Sequence, residues 1–161
     1  MTAASVQVYY GTGRGKSPAA LGNAIRAASE GRSVFIIQFL KGKMDEEMGF
    51  LRRLEPEIKF FRFEKSEEHF AQLSEEEKKE EVQNIRNGMN FARKVLSTGE
   101  CDLLILDEVL GLVNGGLVSC EDVKSLVEAR PDGTGLILTG RVLDDSLRDC
   151  MDEIYHIEPE K

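Results

Sequence analysis

Apolar residues along this chain fall into short runs separated by longer stretches with helical spacing. Val6-Gln7-Val8-Tyr9-Tyr10 is partly alternating, whereas Val34-Phe35-Ile36-Ile37 and Leu103-Leu104-Ile105-Leu106 are continuous. Continuous runs of this length mark strands covered on both faces, as in a parallel sheet under helices. The pattern predicts strands over 6–10, 33–39, 58–63, 102–106, 135–138 and 153–157. Helical spacing lies between them. One helix is expected over 16–30 with Gly31 as its stop, and another over 44–54, ending before Pro56. The longest is expected over 75–97. Ser74 with Glu77 gives it a capping box, and Val82, Ile85, Met89, Ala92 and Leu96 fall on one face before Gly99 closes it. Ser119 with Asp122 repeats the capping signal before a helix over 123–129, and a short helix over 144–151 precedes the last strand. Strand and helix alternate throughout. That predicts a doubly wound, mostly parallel α/β sheet of about six strands with helices on both faces, in one domain over residues 1–161.

The chain has 161 residues, 41% of them hydrophobic, enough for a core of one domain. Its net charge of -8 argues against nucleic acid or an anionic membrane as partner and makes the basic residues near any site a local matter. No apolar run reaches the length of a membrane span. Met1-Thr2-Ala3-Ala4-Ser5 lacks the charged and apolar regions of a signal peptide. Cys101, Cys120 and Cys150 form no Cys-x-x-Cys pair and are expected as reduced, buried or half-buried thiols in the cytoplasm. The charge run at 75–81 reads as the solvated first turns of the long helix, with its acids suited to the helix dipole. The two histidines, His69 and His156, have no zinc-ligand spacing.

Chemistry concentrates where predicted strands end. Gly11-Thr12-Gly13-Arg14-Gly15-Lys16-Ser17 sits between the first strand and the first helix. Glycines turn backbone N–H groups toward one centre, the helix N-terminus and Lys16 add positive charge, and the Ser17 hydroxyl can ligate Mg²⁺. This is a phosphate cradle for ATP or GTP, although Tyr10 stands where the full P-loop pattern has its first glycine. Asp107 and Glu108 follow four apolar residues, at the end of a buried strand where a P-loop protein holds Mg²⁺. Leu136-Ile137-Leu138-Thr139-Gly140-Arg141 places an arginine at another strand end, within reach of phosphate. Gln38-Phe39-Leu40-Lys41-Gly42 follows the second strand as a candidate site wall, in which Lys41 is either functional or simply solvated.

Together these segments resemble the ATP:corrinoid adenosyltransferases. The matching pieces are GTGRGKS at 11–17, AALG at 19–22, QFLKG at 38–42, LLILDE at 103–108, ARP at 129–131 and LTGR at 138–141, spread over nearly the whole chain. The missing first glycine is itself a feature of that family. The resemblance implies a RecA-like P-loop fold, usually a homodimer. The implied reaction is transfer of the 5′-deoxyadenosyl group of ATP to the Co(I) of a reduced corrinoid, with release of triphosphate and use of Mg²⁺ or a similar cation. Co(I) is a strong nucleophile, so no general base is demanded. The protein's task is to align the reactants and stabilise the leaving triphosphate. The implied nucleotide-binding set is Gly11, Thr12, Gly13, Arg14, Gly15, Lys16, Ser17, Gln38, Lys41 and Arg141. Ser17, Asp107 and Glu108 are the implied metal set, and Lys16, Glu108 and Arg141 the implied catalytic set. An electron-donating reductase is the implied further partner. The competing readings are an ATP-binding module without transfer chemistry and a generic P-loop ATPase or kinase.

Some positions depart from the family pattern. Pro18 stands where the family loop continues with a second threonine; it is tolerated in a first helical turn but removes one backbone donor. Some family members place a Phe and a Trp after the third strand, near the corrin. This chain has no Trp; its nearby candidates are His69 and Phe70, with Phe61 and Phe63 just before them and Phe63 expected in the core by strand alternation. Several relatives carry an N-terminal extension over the site, whereas this chain starts almost at its first strand, which predicts a more open pocket or a lid from a neighbouring subunit.

Overall fold

The computed structural model describes residues 4–39, 50–64 and 70–161. Six strands form one sheet: β1 (Val6–Tyr10), β2 (Val34–Gln38), β3 (Ile58–Arg62), β4 (Leu103–Asp107), β5 (Gly135–Gly140) and β6 (Glu153–His156). Their order is β3-β2-β4-β5-β1-β6, and every pair is parallel. All six fall where the apolar runs place them. The continuous runs are the central ones: β4 and β5 are buried at every position, as strands covered on both faces must be.

Helix α1 (Lys16–Ser29) covers one face with Ala20, Ala24 and Ala27, which pack on Val34, Ile36, Leu103, Ile105 and Ile137. The long α2 (Glu75–Thr98), α3 (Val109–Asn114) and α4 (Cys120–Ala129) cover the other, with a 3₁₀ turn over Asp145–Cys150. Both predicted capping boxes form: Ser74 Oγ accepts from Glu77 N, and Ser119 Oγ accepts from Asp122 N, each acid reaching back to the cap. Gly99 closes α2 in the left-handed conformation.

Three expectations change. Val82 is 39% exposed, and Glu81 takes its place in the buried stripe with Ile85, Met89, Ala92 and Leu96. At 100° per residue, position 82 turns just off the arc that 81, 85, 92 and 96 share. Helix α3, with Val109, Leu110 and Leu112 buried, has no counterpart in the periodicity reading, because six residues are too few to show a helical period. The segment before β6 is 3₁₀ rather than α-helical. The helix expected over 44–54 lies largely outside the described residues; its described end is a 3₁₀ turn over Arg52–Leu54. Among the described residues no helix is long and apolar enough to cross a membrane.

The topology makes a crevice. The connection leaving β1 is α1, on one face; the connection leaving the adjacent β5 runs through Leu143 and Leu147, packed in the core of the opposite face. Adjacent parallel strands whose connections diverge open a cleft at their carboxyl ends.

Candidate active site

The loop between β1 and α1 lies in that cleft. Gly11 N donates to the Gly140 carbonyl at 3.2 Å, and Gly13 N donates to the Ile157 carbonyl at 2.9 Å. The loop is thus braced by β5 on one side and by the residue after β6 on the other. Gly11 has φ 134°, and a Cβ there would overlap the Ile157 carbonyl oxygen, so two independent constraints select glycine. Gly15, at φ 109°, starts α1 in a left-handed conformation, and the helix N-terminus carries no side-chain cap. Pro18 is the third residue of α1, where its missing N–H interrupts no intrahelical bond.

Lys16 is 8% exposed, and its ammonium donates to the Gly13 carbonyl oxygen at 2.9 Å, folded back over the loop. Ser17 Oγ donates to Asp107 Oδ1 at 2.7 Å. The same carboxylate oxygen receives Thr139 Oγ1 at 2.8 Å, and Thr139 Oγ1 accepts the Glu108 backbone N–H at 2.8 Å. Hydrogen-bond directions here are fixed by chemistry: Glu108 N–H can only donate, so the threonine proton goes to Asp107. Asp107 and Thr139 are buried, at 3% and 0% exposure. Glu108 adopts φ 65°, a left-handed conformation costly for a residue with a Cβ, and it links β4 to α3 as the residue just before the helix. The Thr139 bond holds that turn.

These contacts belong to a longer arrangement. Strand register pairs Arg62 with Gln38, Gln38 with Asp107, Thr139 with Tyr9 and Tyr9 with Tyr155. The Asp107–Thr139 hydrogen bond joins the two halves. One transverse row of polar side chains, Arg62, Gln38, Asp107, Thr139, Tyr9 and Tyr155, therefore crosses all six strands near their carboxyl ends.

Tyr10 is stacked on His156 at 4.4 Å, and the Arg148 guanidinium lies 5.7 Å over the Tyr10 ring while donating to its hydroxyl at 3.2 Å. The residue in place of the first P-loop glycine thus anchors an aromatic stack at the rim of the loop.

Of the sequence-predicted residues, the structure gathers Gly11, Gly13, Gly15, Lys16, Ser17 and Asp107 into one cluster, with the Glu108 backbone tied in. Thr12 and Arg14 are exposed on the outside of the loop. Arg141 is exposed just beyond β5, and Gln38 stands beside Asp107 in the row. Lys41 and His69 lie outside the described residues. Phe61 and Phe63 pack against Phe91, at 4.7 and 5.5 Å between ring centroids. Phe70 lies under the Lys78 ammonium of the following helix. Arg130, of the 129–131 segment, lies before the amino end of β5, away from the carboxyl ends that carry the site, donating to the Thr134 carbonyl at 2.7 Å. The sequence carries one signal for Thr139, a hydroxyl among apolar neighbours on a buried strand, and none for Ile157.

The donor set Ser17, Asp107 and Glu108 is hard oxygen, the chemistry that Mg²⁺ takes. Among the described residues no group of three or more His, Cys, Asp or Glu converges.

The model of the family described as ATP:corrinoid adenosyltransferase BtuR/CobO/CobP matches residues 2–161. The chain belongs to this family. The corrinoid adenosyltransferase of Escherichia coli (strain K12) is 27% identical over 154 residues, covering 96% of this chain and 76% of that protein. Corrinoid adenosyltransferase CobA of Salmonella typhimurium (strain LT2) is 28% identical over 154 residues with the same coverage. The Pseudomonas aeruginosa enzyme is 26% identical over 148 residues, covering 91% and 71%. Among solved structures, EssC (ATPases 2 and 3) from Geobacillus thermodenitrificans superposes with a TM-score of 0.50 at 13% identity. It covers 98% of this chain, which spans a third of that one at 33%, and the likeness concerns the fold alone. Within the family the loop, the Asp107–Glu108 pair and the Thr139–Arg141 segment are the features this chain brings to its cleft.

Proposed function

We propose that this chain transfers the 5′-deoxyadenosyl group of ATP to the Co(I) of a reduced corrinoid, with cob(I)yrinic acid a,c-diamide or a more complete corrinoid as acceptor. The observation that carries the reading is the cluster of Lys16, Ser17, Asp107 and Thr139 around an uncapped helix N-terminus in the β1/β5 cleft.

Backbone amides of Gly11–Ser17 and the Lys16 ammonium take the triphosphate, Lys16 exchanging its Gly13 carbonyl for phosphate oxygen. Thr12, Arg14, Gln38, Lys41 and Arg141 complete the nucleotide contacts. Ser17, Asp107 and Glu108 hold Mg²⁺, which supplies charge neutralisation at the phosphates when bound. Ser17 suits this because its proton already goes to Asp107, which leaves its lone pairs for a cation.

The cobalt lone pair forms the bond to C5′ while the C5′–O bond breaks and its electron pair leaves with triphosphate; cobalt goes from Co(I) to Co(III). Lys16 and Arg141 stabilise the charge gathered on the departing oxygen, and Glu108 acts from the metal side. One such preorganised contact contributes about 3 kcal/mol of barrier lowering. Electrons for Co(I) come from a reductase, and the working unit is a homodimer in the cytoplasm, a setting that suits the three free thiols.

Incubation with ATP, Mg²⁺ and chemically reduced cobalamin tests the reading. The expected products are the adenosylated corrinoid spectrum and stoichiometric triphosphate. Orthophosphate or pyrophosphate release without corrinoid would make the protein an ATPase instead, and ATP binding without alkylation would make it a binding module.

A further inference from the structure

His156, which the transfer chemistry does not use, lies against the phosphate loop. It ends β6, pairs in register with Tyr10, and stacks on the Tyr10 ring at 4.4 Å with 8° between the planes. A Cβ on Gly11 would come within 3.0 Å of His156 Cδ2, so the imidazole edge also borders the start of the loop. His156 Nε2 lies 2.9 Å from Glu158 Oε1. Ile157, between these two residues, donates its N–H to the Tyr10 carbonyl at 2.7 Å and accepts from Gly13 N at 2.9 Å. The His156–Glu158 contact therefore brackets the residue whose backbone ties the loop to β6.

Histidine is the side chain whose charge changes between about pH 5 and 8. The groups that face this one are Tyr10 on β1, Glu158 just after β6, and Arg148 of the 3₁₀ turn, which donates to the Tyr10 hydroxyl. A neutral His156 leaves the Glu158 carboxylate uncompensated beside a loop that must accept a triphosphate. The imidazolium offsets that charge and turns the contact into an ion pair that spans Ile157. The Arg148 charge opposes protonation, but Asp145 offsets it at 3.1 Å, whereas Glu158 touches the imidazole directly. We infer that His156 is a proton-dependent positioning residue: clasped to Glu158, its imidazolium holds Ile157 against the phosphate loop and tightens binding of the triphosphate, an inference that rests on the loop being the ATP site of the adenosyltransferase reading.

The test is calorimetric ATP binding from about pH 5.5 to 8.5, at fixed Mg²⁺ and ionic strength, for wild type, His156→Phe, His156→Gln and Glu158→Gln. Thermal unfolding of each free protein accompanies it. Titration of the nucleotide itself is common to all four proteins, so the ratio of variant to wild-type Kd at each pH isolates the histidine. His156→Phe keeps a ring on Tyr10, and His156→Gln keeps an N–H for Glu158. Both are expected to bind ATP about two- to fivefold more weakly than wild type at the acid end, with the deficit shrinking as pH rises. Glu158→Gln, which lacks the carboxylate charge, is expected to match or exceed wild type at the alkaline end and to show a flatter profile. Ratios that stay constant with pH in the histidine variants overturn the inference and make His156 a packing residue, whatever their Tm. If one of the two does not fold, the other decides. A wild-type pH profile in Glu158→Gln overturns the clasp. Wild type that takes up no ATP overturns the parent reading as well, whereas wild type that binds ATP, with flat ratios, removes only the role of His156.

Discussion

Ser17 and Asp107, 90 positions apart, meet through a 2.7 Å hydrogen bond that joins the first turn of α1 to the end of β4. The bond orients the serine before any ligand arrives: its proton is committed to the carboxylate, and its lone pairs face away from that bond. Preorganisation of this kind removes rearrangement from the reaction step.

Ser17→Ala is therefore expected to lower kcat about 10²-fold and to weaken the dependence on Mg²⁺, with the far-UV spectrum unchanged. A magnesium titration of turnover, compared with wild type, measures it. An identical titration curve would remove Ser17 from the metal set.

Lys16→Ala is expected to abolish turnover and cut ATP affinity in calorimetry. In the free protein it loses only the bond to the Gly13 carbonyl, so stability should change by about 1 kcal/mol. Wild-type ATP affinity in the variant would show that the ammonium does not serve the phosphates.

Thr139→Val keeps the shape of the side chain but leaves the Glu108 N–H without its acceptor and Asp107 without one donor. The expected cost is about 1–3 kcal/mol in denaturant unfolding, accompanied by loss of activity. Thr139→Ser should restore both, because only the hydroxyl matters. Equal behaviour of the two variants would assign the effect to packing.

Gly11→Ala meets the Ile157 carbonyl and an unfavourable φ together. The loop must shift, at about 1–3 kcal/mol, and the Gly13–Ile157 bond should break with it. A lower Tm and weaker ATP binding are expected in the same variant; loss of one without the other would separate bracing from binding.

Burial pushes the Cys101 thiol up to about 12. An unfolded chain releases that proton from about pH 9, whereas the folded protein keeps it, so the folded state binds more protons above pH 9 and loses stability as pH rises toward 12. The slope from this one group is at most about 1.4 kcal/mol per pH unit. Cys101→Ala should flatten the stability profile in that window, and a profile parallel to wild type would place the cause elsewhere.

Much of this molecule was legible because its signals are local. Val34–Ile37 and Leu103–Leu106 are strands on composition alone, and the Ser74–Glu77 and Ser119–Asp122 boxes declare helix starts within four residues. Lys16, Ser17 and Asp107 were found because strand ends are where such groups gather. What escaped depends on register between distant segments. That Thr139 bridges Asp107 to Glu108, that Ile157 supports Gly13, and that Arg62 stands beside Gln38 all follow from pairings between strands far apart in the chain, which no window of residues encodes. Val82 and Glu81 failed for a smaller reason: one residue is 100° of helix, and the buried arc ends between them.

The transverse row carries a consequence for how the molecule must assemble. Side chains alternate between the two layers of the sheet, so sliding any strand forward by one position, with the preceding residue taking the place in the row, would send its polar member to the opposite layer and put Leu, Ile, Val or Phe in its stead. Such a slipped chain could still collapse into a compact particle with ordinary helical content, yet it would be chemically mute. Correct strand alignment thus serves as a quality check on each newly made copy, and catalytic competence is a stricter measure of successful folding here than compactness.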